Sequence, residues 1–336
     1  MFDDRYLATD MNIWQGRTDS FDNYDAFRWH QWIRGWDLKK DTLLACNKQG
    51  FALVGFCCDE GIRRNKGREG AAMGPASIRR ELANLPCSFS PEVMLVDAGD
   101  ILCEDGNLTA SQAALANAVC RIRSAGLFPI VLGGGHEVAL GHYNGHVKFL
   151  NQSHDKPNVS IINFDAHFDL RPVHQEGSSG TMFRQIAEEA LSQGQKFNYL
   201  CMGIQRTSNT LELFKTAERL GVTHVLAGDI NSRKDEHVLD KLDDFTQANE
   251  NIYLTICADV FSSAFAPGVS AAQPLGLHPE DVLRYIKHII RTNKVVGFDI
   301  AEVSPRFDRD HATASLAKIL VFSVIDTICR LKGLAR

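Results

Sequence analysis

Short apolar runs alternate along the chain with longer stretches that place an apolar residue every three or four positions. The runs are rich in Val, Ile, Leu and Phe and are bounded by Gly, Pro or polar clusters. They predict buried strands over 51–56, 93–96, 128–132, 159–162, 197–202, 223–226, 252–256 and 294–300. Between them the helical period predicts a helix opening at Gly74-Pro75 with an Ile78, Leu82, Leu85 stripe, and another over 109–124 closed by Gly126. Further helices are expected from Glu137 to about 150, then over 183–191, 210–220, 235–247 and 279–291, the last with a Leu283, Ile286, Ile290 face. A long amphipathic helix over 311–331 closes the chain. Strand and helix alternate at βαβ spacing, which predicts an α/β fold: a mostly parallel eight-stranded sheet with helices on both faces, three layers in all. Residues 1–50 are polar and aromatic, with Trp14, Trp29, Trp32 and Trp36. They read as an N-terminal arm with a short helix, packed on a main body spanning 51–336.

Ligands in parallel sheets sit beyond the carboxyl ends of the strands, and the chemically active residues fall there. His136 follows the third predicted strand behind Gly133-Gly134-Gly135. Asp165, His167 and Asp169 follow the fourth, Arg206 the fifth, Cys257 and Asp259 the seventh, and Glu302 the eighth. Asp165, His167 and Asp169 stand at every second position, so an extended backbone would aim all three side chains the same way. Adjacent carboxylates repel and are costly to desolvate; a divalent cation removes the conflict. Two imidazoles and three carboxylates suit manganese, iron or zinc, and three carboxylates exceed what one cation needs, so a two-metal site is expected. Glu302 is a candidate acceptor for paired N–H groups of an amidine or guanidine. Arg68 and Arg206 are loop candidates for clamping a carboxylate, and Ser179 and Thr181 offer donors at a glycine turn.

Composition narrows the function classes. The chain has 336 residues, 44% of them hydrophobic and 23% charged, as in a globular protein. Net charge is −5 with no basic block, which argues against nucleic acid. No signal-peptide core opens the chain, and no uninterrupted apolar run reaches the length of a membrane span. Nine cysteines, without a Cys-x-x-Cys pair, predict reduced thiols in the cytoplasm.

Gly-Gly-Gly-His136-Glu137, Asp165-Ala-His167-Phe-Asp169, and Asp259-Val-Phe followed by Ala266-Pro267-Gly268 together resemble the motifs of the arginase/agmatinase (ureohydrolase) superfamily. The resemblance runs from about Phe51 to the C-terminus. Arg64-Asn65-Lys66-Gly67-Arg68, Ser178-Ser179-Gly180-Thr181 and Arg206-Thr207-Ser208-Asn209-Thr210 are most similar to its formimidoylglutamase branch. The resemblance implies an arginase-like α/β/α fold, a dimanganese centre and hydrolysis of N-formimidoyl-L-glutamate, an intermediate of histidine degradation, to L-glutamate and formamide. By motif position, His136, Asp165, His167, Asp169 and Asp259 would ligate metal, with Asp165 bridging. Asp169 would hold or deprotonate the attacking water, and Glu302 would orient the formimino nitrogen. Asn65, Arg68, Ser179, Arg206 and Asn209 would serve the substrate. A homo-oligomer is also implied.

Two departures stand out. Where the family pattern reads Asp-x-Asp, this chain has Cys257-Ala258-Asp259. A thiolate there bridges metals and favours softer ions, or the thiol is buried and unligated. Phe183 occupies the position of the arginase catalytic histidine, which argues against arginase itself. The rivals are another ureohydrolase substrate, agmatine or guanidinobutyrate, and a metal-depleted, non-catalytic relative.

Overall fold

The computed structural model describes residues 4–42, 48–153, 158–232 and 235–336. Among these, ten strands form one sheet: β1 (Tyr6–Leu7), β2 (Arg34–Gly35), β3 (Gln49–Cys57), β4 (Val93–Leu102), β5 (Phe128–Leu132), β6 (Ser160–Phe164), β7 (Tyr199–Ile204), β8 (Thr223–Leu226), β9 (Ile252–Cys257) and β10 (Val295–Ala301). Their order is β1-β4-β3-β5-β10-β9-β6-β7-β8, with β2 also on β4. The eight longer strands, β3 to β10, are all parallel, as the βαβ spacing predicts. The two extra strands are two-residue pieces of the N-terminal segment, too short to show a period of their own. β1 runs antiparallel to β4 and β2 parallel to it.

Strands β5, β6, β7 and β9 read as near-continuous apolar runs because helices cover both faces. On one face lie the helices Gly74–Leu82, Asp235–Ala248, Pro279–Arg291 and Ala312–Leu331, whose apolar stripes join one core. On the other lie Leu108–Ser124, Val138–Leu150, Met182–Ser192 and Leu211–Arg219. The helix Ala312–Leu331 is long and apolar enough by composition to cross a membrane, although no single unbroken apolar run showed it. Most of that stretch is buried within the fold, and Leu316, Leu320, Val324 and Ile328 belong to the core.

The N-terminal segment has little regular helix. One turn, Trp29–Trp32, is the only α-helix among its described residues. Its attachment is polar at one point. Asp97 on β4 accepts from Thr9 Oγ1 at 2.8 Å and Trp14 Nε1 at 2.7 Å. The same carboxylate takes two bonds from the buried Arg79 guanidinium, at 2.7 and 2.9 Å. Cys46 and the first three residues lie outside the described residues.

Candidate metal centre

The strand order sets the site. β5, β10, β9 and β6 are consecutive neighbours, so their carboxyl ends lie side by side. From those ends project His136, Glu302, Cys257 with Asp259, and Asp165. A Cβ on Gly134 would overlap the carbonyl oxygen of Cys58, so only glycine lets the β5 loop press this close to β3.

The structure brings all of the expected metal ligands together. His136, Asp165 and Cys257 offer one donor atom each within 4.8 Å of one another, and so do Asp165, His167 and Asp259. Asp165 belongs to both groups. Asp169 joins through His136, whose Nδ1 lies 2.9 Å from Asp165 Oδ2 and 3.2 Å from Asp169 Oδ2. His167 Nδ1 lies 3.2 Å from Asp259 Oδ2.

The every-second-residue pattern works differently from the extended strand that the spacing suggests. β6 ends at Phe164, and Asp169 has a φ of 50°. Asn209 holds the departing backbone instead. Its Oδ1 accepts from Phe168 N–H at 3.0 Å, and its Nδ2 donates to Ala166 O and Gln205 O, both at 2.8 Å. Both amide protons and the carbonyl of Asn209 are thus engaged by backbone. Arg68 is also engaged by backbone. Its guanidinium donates to Ser270 O at 2.9 Å and Val269 O at 2.6 Å, and stacks 4.2 Å over the Phe307 ring, pinning two loops.

The electrostatics ask for positive charge. Burial would raise the Asp165 carboxyl, yet the His136 and His167 imidazoles hold it well below the usual range. Those imidazoles are in turn pushed upward against their own burial by Asp165, Asp169 and Asp259. Asp169 is raised to about 6 by burial and by Asp165. Burial, then Asp165, Asp259 and Glu302, push the Cys257 thiol up. Several buried polar atoms also lack a hydrogen-bond partner: His136 Nδ1, Asp259 Oδ1 and Glu302 Oε2. Converging lone pairs, a shared carboxylate and orphaned acceptors fit a pair of divalent cations. His136, Asp165, Asp169 and Cys257 would hold one ion, and Asp165, His167, Asp259 and Cys257 the other.

Glu302 has the geometry of a substrate acceptor. Its Oε1 accepts from His136 N–H at 3.2 Å, and its Oε2 is free. Its φ is 66°, a left-handed value that a Glu adopts at a cost of about 1–3 kcal/mol. Burial, then Asp259 and Glu137, raise its carboxyl well above the ordinary range. Phe183, fully buried, sets its ring edge-on to His136 at 5.5 Å.

The loop that follows Asp169 helps to form a cleft of about 540 Å³ lined by Arg64, Asn65, Lys66, Arg171, Glu176 and Thr181 among others. Asn65 links its walls, donating to Ser179 Oγ at 3.3 Å and accepting from Arg171 Nη1 at 2.9 Å. Arg171, two residues beyond Asp169, was not among the sequence candidates. Arg206 is exposed on the loop after β7.

The comparisons with known proteins agree with this geometry. The sequence model of the arginase family matches residues 49–326. The chain is 58% identical over 331 residues to the formimidoylglutamase of Clostridium tetani, covering 98% of each, and 45% identical over 312 residues to that of a Geobacillus species, covering 93% of each. Among solved structures, the fold is similar to formimidoylglutamase from Bacillus subtilis (TM-score 0.77, 24% identity, 94% and 96% covered). It is also similar to Trypanosoma cruzi formiminoglutamase with Mn2+ (TM-score 0.74, 24% identity, 84% and 94% covered). With strand order, donor set and sequence in agreement, this chain belongs to the arginase family.

Proposed function

We propose that this chain hydrolyses N-formimidoyl-L-glutamate to L-glutamate and formamide, a step of histidine degradation, with two Mn2+ ions as cofactor. The observation that carries the reading is the 58% identity to a formimidoylglutamase across nearly the whole chain. The two three-donor groups sharing Asp165 support it.

Manganese held by the two donor groups would supply Lewis-acid charge and acidify a water. The chain's own residues do the rest. Asp169 accepts a proton from the attacking water. Water adds to the formimidoyl carbon, the bond from that carbon to the glutamate nitrogen breaks, and that nitrogen takes up a proton. Glu302 Oε2 accepts an N–H of the formimidoyl group and fixes which face is attacked. An arriving amidinium would favour the ionised form of Glu302. The glutamate tail carries two carboxylates, which Arg171, Lys66 and Asn65 on the cleft wall would bind, with Ser179 behind Asn65 and Arg206 on the loop after β7 as further donors.

The same proposal places the enzyme in the cytoplasm, in keeping with eight unpaired cysteines among the described residues. It also makes it a homo-oligomer, as the family resemblance implies. The test is a substrate panel with Mn2+-loaded protein. Glutamate release from formimidoylglutamate, with agmatine and guanidinobutyrate untouched, is the expected result. Turnover of a cationic guanidine in its place would overturn it.

A further inference from the structure

Behind the centre, on the face of the sheet covered by Val138–Leu150, runs a buried chain of polar groups that hydrolysis does not use. It starts at His136 Nε2, 3.0 Å from Thr255 Oγ1 in β9. Thr255 Oγ1 donates to Asp299 Oδ1 in β10 at 2.5 Å, and these two residues are register partners across the two strands. Asp299 Oδ2 receives His142 Nδ1 at 2.6 Å and the Tyr253 hydroxyl. His142 stacks on His146 with ring centroids 4.7 Å apart, and His146 Nδ1 meets Arg123 Nη1 at 3.2 Å. Room for both rings exists because residue 297 is glycine: a Cβ there would lie 2.5 Å from His146 Nε2 and 2.8 Å from His142 Nε2.

Proton counting fixes the direction of the first links. A threonine hydroxyl has one proton, and Thr255 gives it to a carboxylate, which has none to offer back. The hydroxyl oxygen therefore accepts from His136, and the His136 proton sits on Nε2. Its Nδ1, the atom that faces Asp165 and Asp169, is then the nitrogen whose lone pair a cation would take. We propose that Thr255 and Asp299 are positioning residues that lock His136 in the Nε2–H tautomer and so set the affinity of the ion that His136 would hold. The inference rests on His136 being a metal ligand in the proposed dimetal centre. An imidazole whose far nitrogen donates to an anchored acceptor is both oriented and more basic toward a cation. The relay is anchored at its far end: Asp299 is fully buried and accepts from three groups on two elements, a strand and a helix.

Two substitutions separate this from a merely structural polar cluster. Thr255→Val keeps the shape and removes the acceptor. Asp299→Asn keeps the shape and can turn its amide to donate to Thr255, which then donates to His136 and drives the proton onto Nδ1. Thr255→Ser restores the hydroxyl. Apoenzyme is titrated with Mn2+ alone, and free Mn2+ is followed by electron paramagnetic resonance at a temperature where each variant is folded. The expected result is two ions bound in every case. In Thr255→Val and Asp299→Asn one of the two sites is weakened about 10- to 100-fold, and Thr255→Ser stays near wild type. Should Thr255→Val not fold, the Asp299→Asn isotherm decides. Wild-type affinity at both sites in every folded variant would overturn the proposal. Because the readout is metal binding without substrate, failure to hydrolyse formimidoylglutamate would refute the proposed function and leave this inference standing.

Discussion

Glu302→Gln tests the substrate geometry with the fewest side effects. The carboxylate has one oxygen held by the His136 backbone N–H at 3.2 Å and the other free. In the glutamine variant the amide oxygen keeps the bond to His136, which turns the NH2 toward the formimidoyl group. A donor then faces a donor, and the charge is gone. A hydrogen bond to a charged group is worth about 1.5–3 kcal/mol, and each 1.36 kcal/mol is about tenfold in rate. The expected fall in kcat/KM is therefore about 10- to 150-fold. Stability moves differently. Burial, Asp259 and Glu137 already push this carboxyl up, so a neutral amide relieves a strained group and the melting temperature should hold or rise. Steady-state kinetics, a thermal scan and a Mn2+ count on one preparation give all three readings. A fall of less than threefold, with folding and metal intact, would refute direct contact between Glu302 and substrate.

Other perturbations separate the parts of the molecule. Arg171→Ala removes an uncommitted guanidinium edge from the cleft and should raise KM for formimidoylglutamate about tenfold or more while sparing kcat; an unchanged KM would remove Arg171 from the substrate site. Arg79→Met leaves Asp97 buried with only Thr9 and Trp14 as side-chain donors, a loss of about 3–5 kcal/mol. With an unfolding entropy of about 2.1 cal/mol/K per residue, a 336-residue chain should melt about 4–7 °C lower, which a thermal scan reads. Burial, then His142 and Arg123, keep His146 neutral in the fold, whereas the unfolded chain protonates it near 6.5. Below that pH the unfolded state binds more protons, so stability falls as pH falls, by up to about 1.4 kcal/mol per unit. Denaturant midpoints at pH 6.5 and 5.5 should differ less in His146→Gln than in wild type; an equal difference would contradict a neutral His146.

The strand ends were legible because each chemical group follows an apolar run and a turn, and βαβ spacing makes those runs parallel. Their convergence was legible only in part: strand order places β5, β10, β9 and β6 side by side, and order is a tertiary property. Alternation identified Asp165, His167 and Asp169 while giving the wrong backbone for them, since the strand ends at Phe164 and Asn209 shapes the turn beyond it. Thr255 and Asp299 gave no signal, because a single polar residue inside an apolar strand does not announce its partner across the sheet. That backbone carbonyls engage Asn209 and Arg68 was not legible either, because those bonds join loops distant in sequence. The helix Glu60–Arg64 is too short to show a period.

The central claim is that strand ends converge on two cations sharing Asp165, with Cys257 among the ligands. The most direct measurement is anomalous diffraction at the manganese edge from Mn2+-loaded crystals. Convergence predicts two peaks, both within bonding distance of Asp165, with Cys257 Sγ beside them. A map with no peak between His136 and Asp259, or with a single ion far from Asp165, would contradict it.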